Sequence, residues 1–553
     1  MSTAALDQGA STASSAGRRA TVTILYLGLL GGIQSADPNI NSTALLKAST
    51  DLKMGTTAAL AASIATLFLA ATAITTGMMG DRLGRRRVLV AALIVSAAGD
   101  LIVMASPDTA FFLLGRILAG IGLGAVFGAG FAFLKDFATG KGGLGAALGV
   151  YMGASGLAAL LIVFTGSSLV GVSWRIAFLV VPVLCVLCIP AALALLPGKQ
   201  KTAADVGGQP PWDLKGQLLL GLAIIFFLVG VSHASDSILA PLTWGGVIVG
   251  IGLFAAFYIV EKKEGERGFF PVRLLKEPIF IAAILCGLVY NLTYGTTLLS
   301  FTNLFQYANK LSGLELSVSQ LPFLIAGILA AVVTGKLRGA GKISRGMTVL
   351  AGATIASIGF VLFAITASGR PSSVLAFIPA LVLSGAGIMV SSIPYGGMII
   401  QEADPKHFGA VASSRLTIGQ FWFSLGLAGS TVIVDSITRG KVQEKLGATA
   451  GEALKKYSVS GTKPSNPEIL RDATLAYSDA FAVMMLVLAA VTMIAGIASF
   501  VIIRKARRGE EKDTLPPAPP SMGVTAPHLK PEHLGATNTA TPTTGATAAA
   551  SPP

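Results

Sequence analysis

Charge is scarce in this sequence. Only 12% of its 553 residues are Asp, Glu, Lys or Arg, against about 25% in a soluble domain. Too few charges remain to cover the surface of one large water-soluble body, which excludes a soluble globular protein. Cysteine is nearly absent as well: Cys185, Cys188 and Cys286 all stand inside apolar runs. An odd count with no cysteine in a polar loop supports neither a disulfide framework nor a structural zinc site. The CxxC spacing of the first two reads as small apolar side chains in a helix. The four histidines, His233, His407, His528 and His533, fall in loops or tail, so no catalytic or metal-binding constellation forms in the apolar segments. There is no GxxxxGK[ST] phosphate loop to support ATP hydrolysis. An enzyme is therefore not expected. The first 20 residues lack the apolar core of a cleaved signal peptide, so the first hydrophobic segment is expected to stay in the membrane.

What is present is apolar bulk. Apolar residues make up 53% of the chain with 65 Gly, and the mean hydropathy is +0.72, a composition suited to close helix packing in lipid. A helix crosses the hydrocarbon layer with about 20 residues. Candidate spans lie near 21–46, 56–80, 87–105, 109–134, 143–170, 174–197 and 214–232, then 241–260, 278–305, 317–335, 347–367, 373–400, 411–435 and 479–503. That makes fourteen, and runs this long exclude barrel strands.

An even number places both termini on one side. Of the 41 Lys and Arg, 26 fall in the N-terminal flank, the even-numbered short loops with their flanks, and 504–508. The odd-numbered short loops hold only Lys47, Lys53, Arg175, Lys310 and Arg370. Both termini are thus expected in the cytoplasm, in a plasma or inner membrane. The net charge of +14 then reflects orientation rather than nucleic acid, although basic loops also suit anionic lipid headgroups. Residues 436–478 mix helix formers with Pro464 and Pro467 and read as a partly ordered outer cap. Residues 1–20 and the Pro-, Ala- and Thr-rich 509–553 are expected to be disordered cytoplasmic ends.

Between spans two and three stands Gly77-Met78-Met79-Gly80-Asp81-Arg82-Leu83-Gly84-Arg85-Arg86-Arg87. It resembles the GxxxDRxGRR signature of the major facilitator superfamily, and with fourteen spans the chain resembles that superfamily's fourteen-helix drug:proton antiporter branch. A basic loop that merely sets topology is the competing account. The glycines allow close approach and a tight turn, and Asp81 suits a helix N-terminus. The resemblance implies that Gly77, Gly80, Asp81, Arg82, Gly84, Arg85 and Arg86 form a conformational latch. Asp81 would meet a helix beginning near Ala410. A degraded copy, Gly335-Lys336-Leu337-Arg338-Gly339-Ala340-Gly341-Lys342, stands after span ten without the acid. Two six-helix bundles, 21–197 and 278–508, joined by two extra helices within 198–277, would account for both copies.

Three ionisable residues interrupt apolar runs. Arg116 lies in Gly115-Arg116-Ile117-Leu118-Ala119-Gly120, similar to the family's RxxQG element with Ala119 for glutamine. Asp37 lies in Gln34-Ser35-Ala36-Asp37-Pro38-Asn39-Ile40-Asn41 and matches the branch's LDxTIVNVALP element at Asp37, Ile40, Ala44 and Leu45. A buried charge needs a partner or a wet cavity. Asp37 therefore reads either as a proton carrier or as a static salt bridge to Arg116. Asp100 sits amid Ala97, Ala98 and Gly99, either reachable by water or a cationic ligand, or at the outer interface of a shorter span. Asp37, Asp100 and Arg116 are the expected proton-coupling set. Span five lacks the branch's GPxxGG element, having Leu161-Ile162-Val163-Phe164-Thr165-Gly166 instead, while Trp174-Arg175 matches its WRxxF start of span six.

Span nine is rich in polar and aromatic residues. Tyr290, Tyr294, Thr297 and Phe301 recur at helical spacing, lining a cavity for an amphipathic substrate or packing on a partner helix. Gln34, Asn41, Asn291, Tyr395, Gln420 and Trp422 complete the expected substrate cavity. The sequence thus points to an all-α membrane protein acting as a monomeric secondary transporter. Its expected role is proton-coupled export of amphipathic or cationic small molecules, with no cofactor beyond the proton gradient, no metal, and membrane lipid as its surroundings. A carrier of lipid-like or metabolite cargo without strict antiport, and a transporter-derived sensor or scaffold, are the alternatives.

Overall fold

The structure, a computed structural model, describes residues 3–54, 57–138, 143–198, 212–234, 239–311, 313–369, 373–403, 407–460, 464 and 466–506. Where lipid offers no hydrogen bonds, backbone groups must pair within their own segment, and these apolar runs do so as helices. We number the principal ones α1 (Thr3–Asp51), α2 (Ala58–Leu83), α3 (Arg85–Ala105), α4 (Thr109–Ala132), α5 (Gly143–Leu169) and α6 (Val180–Leu195). Next come α7 (Leu214–His233), α8 (Pro241–Glu264), α9 (Pro278–Gly287), α10 (Thr293–Tyr307), α11 (Leu321–Gly339) and α12 (Arg345–Ser368). The last are α13 (Ile378–Glu402), α14 (Phe408–Leu446), α15 (Ala448–Ser460) and α16 (Pro467–Ala506). Boundaries obey local chemistry. The Asp108 side chain caps α4 by accepting from the Phe111 N–H at 3.0 Å, and Gly84, at φ +94°, turns the chain between α2 and α3, a backbone conformation that side chains resist.

Thirteen helices among the described residues are long and apolar enough to cross a membrane, against the fourteen spans expected. The difference is α1, which has ample length but whose Gln34, Asp37, Asn39 and Asn41 dilute its apolar character. Three expectations shift. Residues 3–20 are not irregular but continue α1 as helix, because no proline stands before Pro38 and propagation from a formed helix is cheap. The 436–478 segment is mostly helix, shared among the end of α14, α15 and the start of α16. Span nine is not a plain α-helix: a π-helical turn over Leu288–Leu292 separates α9 from α10. The expected disorder of 509–553 lies outside the described residues.

Helices α1 and α5 pack together, as do α3 with α4, α2 with α4, and α3 with α6. Among the later helices α12 lies along α13 and α16, α11 along α13, and α9 along α16. The two groups meet along two equivalent seams, α2 on α14 and α5 on α11. The α7–α8 hairpin leans through α7 on α2 and α14, with Phe227 stacked on Phe421 at 4.9 Å. The three cysteines are buried and unpaired.

Candidate functional site

The strongest constellation is a buried triad of charges. Arg116 on α4 is fully buried, as is Asp100 on α3, and Asp37 on α1 is 1% exposed. Arg116 Nη1 donates to Asp37 Oδ1 at 2.8 Å and Nη2 to Asp37 Oδ2 at 2.7 Å, a two-pronged pairing. Nη1 also donates to Asp100 Oδ1 at 3.2 Å, while Asp100 Oδ2 has no partner. The guanidinium lies 5.6 Å from the Phe178 ring centroid. Three residues 16 to 79 positions apart are thereby joined. Asp100 sits neither at an outer interface nor open to a ligand here; α3 and α4 pack too closely around it.

A second constellation forms at the turn between α2 and α3. Asp81 Oδ2 accepts from the Gly409 N–H at 2.5 Å, in the first turn of α14, close to the expected Ala410. Arg85 Nη2 pairs with Asp81 Oδ1 at 3.1 Å and its Nη1 with Asp136 at 3.4 Å. Arg82 stacks over Trp212 at 4.6 Å, and Arg86 Nη1 donates to the Leu193 and Leu196 carbonyls. The glycines divide. A Cβ at Gly77 would fall 2.8 Å from the Gly409 carbonyl carbon, so this contact requires glycine, whereas at Gly80 the nearest atom is Arg85 Cγ at 3.4 Å. The expected close approach at Gly80 is thus made at Gly77. The degraded copy sits at the other seam, where Gly335 packs against Gly149.

The expected substrate face is interrupted by the π-helical turn, which adds a residue to its turn and shifts the helical register, yet Tyr290 and Phe301 still meet the same aromatic core, one at its edge and the other inside it. Phe301 is fully buried in a core with Phe305, Phe323 and Phe363, which corrects its placement in a cavity. Tyr294 lies 5.8 Å from Phe323 and packs on that same core. Thr297 is buried with its hydroxyl unpartnered. Asn291 Nδ2 donates to the Gly287 carbonyl at 3.0 Å, and Trp422 Nε1 to the Ile284 carbonyl at 3.1 Å. Gln34 is buried; Asn41 donates to the Ala61 and Ala62 carbonyls. Gln420 is partly exposed. Trp174 is buried and donates its Nε1–H to Asp51 at 3.1 Å.

Sequence reasoning missed one residue. Counting charges by loop absorbed Arg415 as a cation flanking span thirteen, yet it lies inside α14 and is 7% exposed. Its guanidinium carbon lies 5.0 Å from the Phe131 ring, 5.1 Å from Tyr395, 5.7 Å from Phe127 and 6.0 Å from Tyr290. Tyr395, fully buried, donates its hydroxyl to the Arg415 carbonyl at 2.5 Å. An arginine within 411–435, the range of span thirteen itself, was the available signal.

A helical membrane protein with paired charges buried among its spans, and two matched seams between helix groups, is built for moving solutes rather than for chemistry on them. The chain belongs to the Major Facilitator Superfamily, whose family model matches residues 27–427, and it is accordingly a transporter and not an enzyme. It is 25% identical over 444 residues to a multidrug resistance protein B homolog of Mycobacterium tuberculosis (strain CDC 1551 / Oshkosh), covering 75% of this chain and 78% of that protein. It is 22% identical over 374 residues to the quinolone resistance protein NorB of Staphylococcus aureus (strain MW2), covering 68% of this chain and 79% of that one. Among solved structures it is similar to the human organic anion transporter MFSD10, with TM-score 0.53 and 15% identity over 86% of this chain and 99% of that one. That last likeness shows the fold alone.

Proposed function

We propose that the chain is a proton-coupled exporter of amphipathic small molecules, of the fourteen-helix drug:proton antiporter type, working by alternating access as a monomer in the plasma or inner membrane with both termini cytoplasmic. The triad carries this reading. Two carboxylates and one guanidinium sum to −1 when all are ionised and to zero with one proton bound. Buried charge is costly in lipid, so taking up or releasing that proton changes which packing around α1, α3 and α4 is favoured. A static salt bridge would need only Asp37; the second carboxylate, with one oxygen unpartnered, is what a proton site adds. The Asp81–Gly409 contact closes the seam between α2 and α14 on the side where the basic loops lie, which corresponds to an outward-facing arrangement. Residues 21–197 and 278–508 then act as the two rocking bundles, with 214–260 as the extra pair. The names of the multidrug and quinolone resistance relatives support export of drug-like cargo. With Asp37 and Asp100 both held by Arg116, neither offers a free carboxylate to a cationic cargo in this conformation.

The test uses proteoliposomes carrying the full chain and a pH-sensitive dye, with a quinolone as cargo. Asp100→Asn removes the surplus negative charge but leaves the two-pronged Asp37–Arg116 pair, so the protein is expected to fold and bind while substrate-dependent proton movement is lost. Asp37→Asn is expected to abolish the same signal. Proton movement unchanged in both variants ends the coupling role of the triad.

A further inference from the structure

Arg116 has two carboxylates and Arg85 has two, but among the described residues no carboxylate pairs with Arg415. Its Nε is buried without a hydrogen-bond partner, and Nη2 reaches the Met152 sulfur at 3.7 Å, a weak acceptor. The surrounding rings attract the cation from their faces and the Tyr290 hydroxyl interacts with the guanidinium, yet none of these neighbours is an anion. A cation buried this far from water without an anion needs either a partner or a wet cavity.

Its position says when a partner can reach it. The side chains around Arg415 come from both helix groups: Phe127 and Phe131 flank it from α4 and its neighbour Met152 from α5, while Tyr395 stands on α13 and Tyr290 in the π-helical turn. Arg415 therefore plugs the line along which the groups must part. The nearest acid along the α2–α14 seam, Asp81, is spent on the Gly409 N–H and Arg85, and six residues of helix rise put Gly409 about 9 Å away.

We propose that Arg415 is the recognition cation for an acidic group on the transported molecule, so that the cargo is an amphipathic organic anion: its carboxylate or equivalent acid on the guanidinium, its apolar body on Phe127, Phe131, Tyr290 and Tyr395. This rests on the alternating-access reading, in which parting of the seam exposes Arg415 to one side. A planar fork of donors matches a carboxylate in two-pronged fashion, and the anion replaces an aromatic wall with a charge partner as the seam opens. Binding the acid thus favours the open arrangement, and its loss favours resealing.

The test is equilibrium binding to the purified full-length protein in detergent, without any gradient, so its outcome is independent of proton coupling. Thermal-shift titrations compare 1-naphthaleneacetate, its primary amide and (naphthylmethyl)trimethylammonium, with dodecanoate and methyl dodecanoate as a second acid and neutral pair. The acids are expected to bind about tenfold or more tightly than their neutral or cationic analogues. Arg415→Gln is expected to erase that ratio while leaving the neutral analogues unchanged, and Arg415→Lys to keep part of it. If Arg415→Gln does not fold, Arg415→Lys read against wild type carries the comparison, since a point charge holds a carboxylate less well than the fork. Equal binding of acid, amide and ammonium by wild type, or a ratio untouched by substitution at Arg415, overturns the proposal.

Discussion

A single side chain decides the balance of the triad. Removing Arg116 strands Asp37 and Asp100 together in a space closed to water, and breaking a buried pair from one side costs about 3–5 kcal/mol. Arg116→Leu is therefore expected to lower the melting temperature of the detergent-solubilised protein sharply. Adding Asp37→Asn and Asp100→Asn to that variant should recover a large part of the loss, because the stranded charges disappear. A triple variant as unstable as the single one would mean that the guanidinium acts through packing alone. These three residues were legible in the sequence because a charge inside an apolar run stands out against its neighbours. Arg415 stood within 411–435 and offered the same signal, but it was counted with the loop cations near the start of its span, and only the rings from α4 and α13 around it show that it is buried. Phe301 failed for the opposite reason: its periodicity with Tyr290 was real, but the face they share is an aromatic core with Phe323 and Phe363 rather than a cavity, and periodicity alone does not tell a packed face from an open one.

At the scale of helices, glycine spacing separates what a turn needs from what a contact needs. Gly84 holds φ +94°, and a side chain there is strained by about 1–3 kcal/mol. Gly80 is helical with ordinary space beside it. Gly84→Ala is accordingly expected to destabilise, whereas Gly80→Ala should leave thermal stability unchanged or raise it slightly, alanine being the better helix former. Equal losses for the two would mean that the motif glycines are needed for some contact formed only in another arrangement. The second seam has a different weak point. A Cβ on Gly149 would fall 2.7 Å from Gly335 Cα and 3.0 Å from the Ala331 carbonyl oxygen, so backbone, which cannot step aside, is what it would strike. Gly149→Leu should part α5 from α11 and abolish transport, while a leucine at Gly245, with nothing within 4 Å, should transport normally. Helix identities and most bounds were readable from hydropathy. The seams were readable only as far as the repeated glycine-rich turns hinted at them, because which helix a small residue faces is set by tertiary packing.

For the whole molecule, the two seams imply a balance that one hydrogen bond can tilt. The α2–α14 seam is held by Asp81 accepting from Gly409, by Thr417 donating to the Ala70 carbonyl at 2.8 Å, and by Gly77 lying flush against Gly409. Of these, the Asp81 contact alone carries a charge, and charge-assisted bonds are about twice as strong as neutral ones. Asp81→Asn keeps the shape and weakens that bond, so the closed seam loses population without the fold being lost. A cysteine placed at Ser413, fully buried against this seam, reports the change once Cys185, Cys188 and Cys286 have been replaced by alanine. A membrane-impermeant maleimide applied from the side of the basic loops should label it slowly in the otherwise unaltered protein and several-fold faster with Asp81→Asn. An increase on breaking the contact assigns Asp81 to the closed arrangement. Labelling that stays slow in both would mean that the seam stays shut without the Asp81 contact, and would make the latch a consequence of closure rather than its cause.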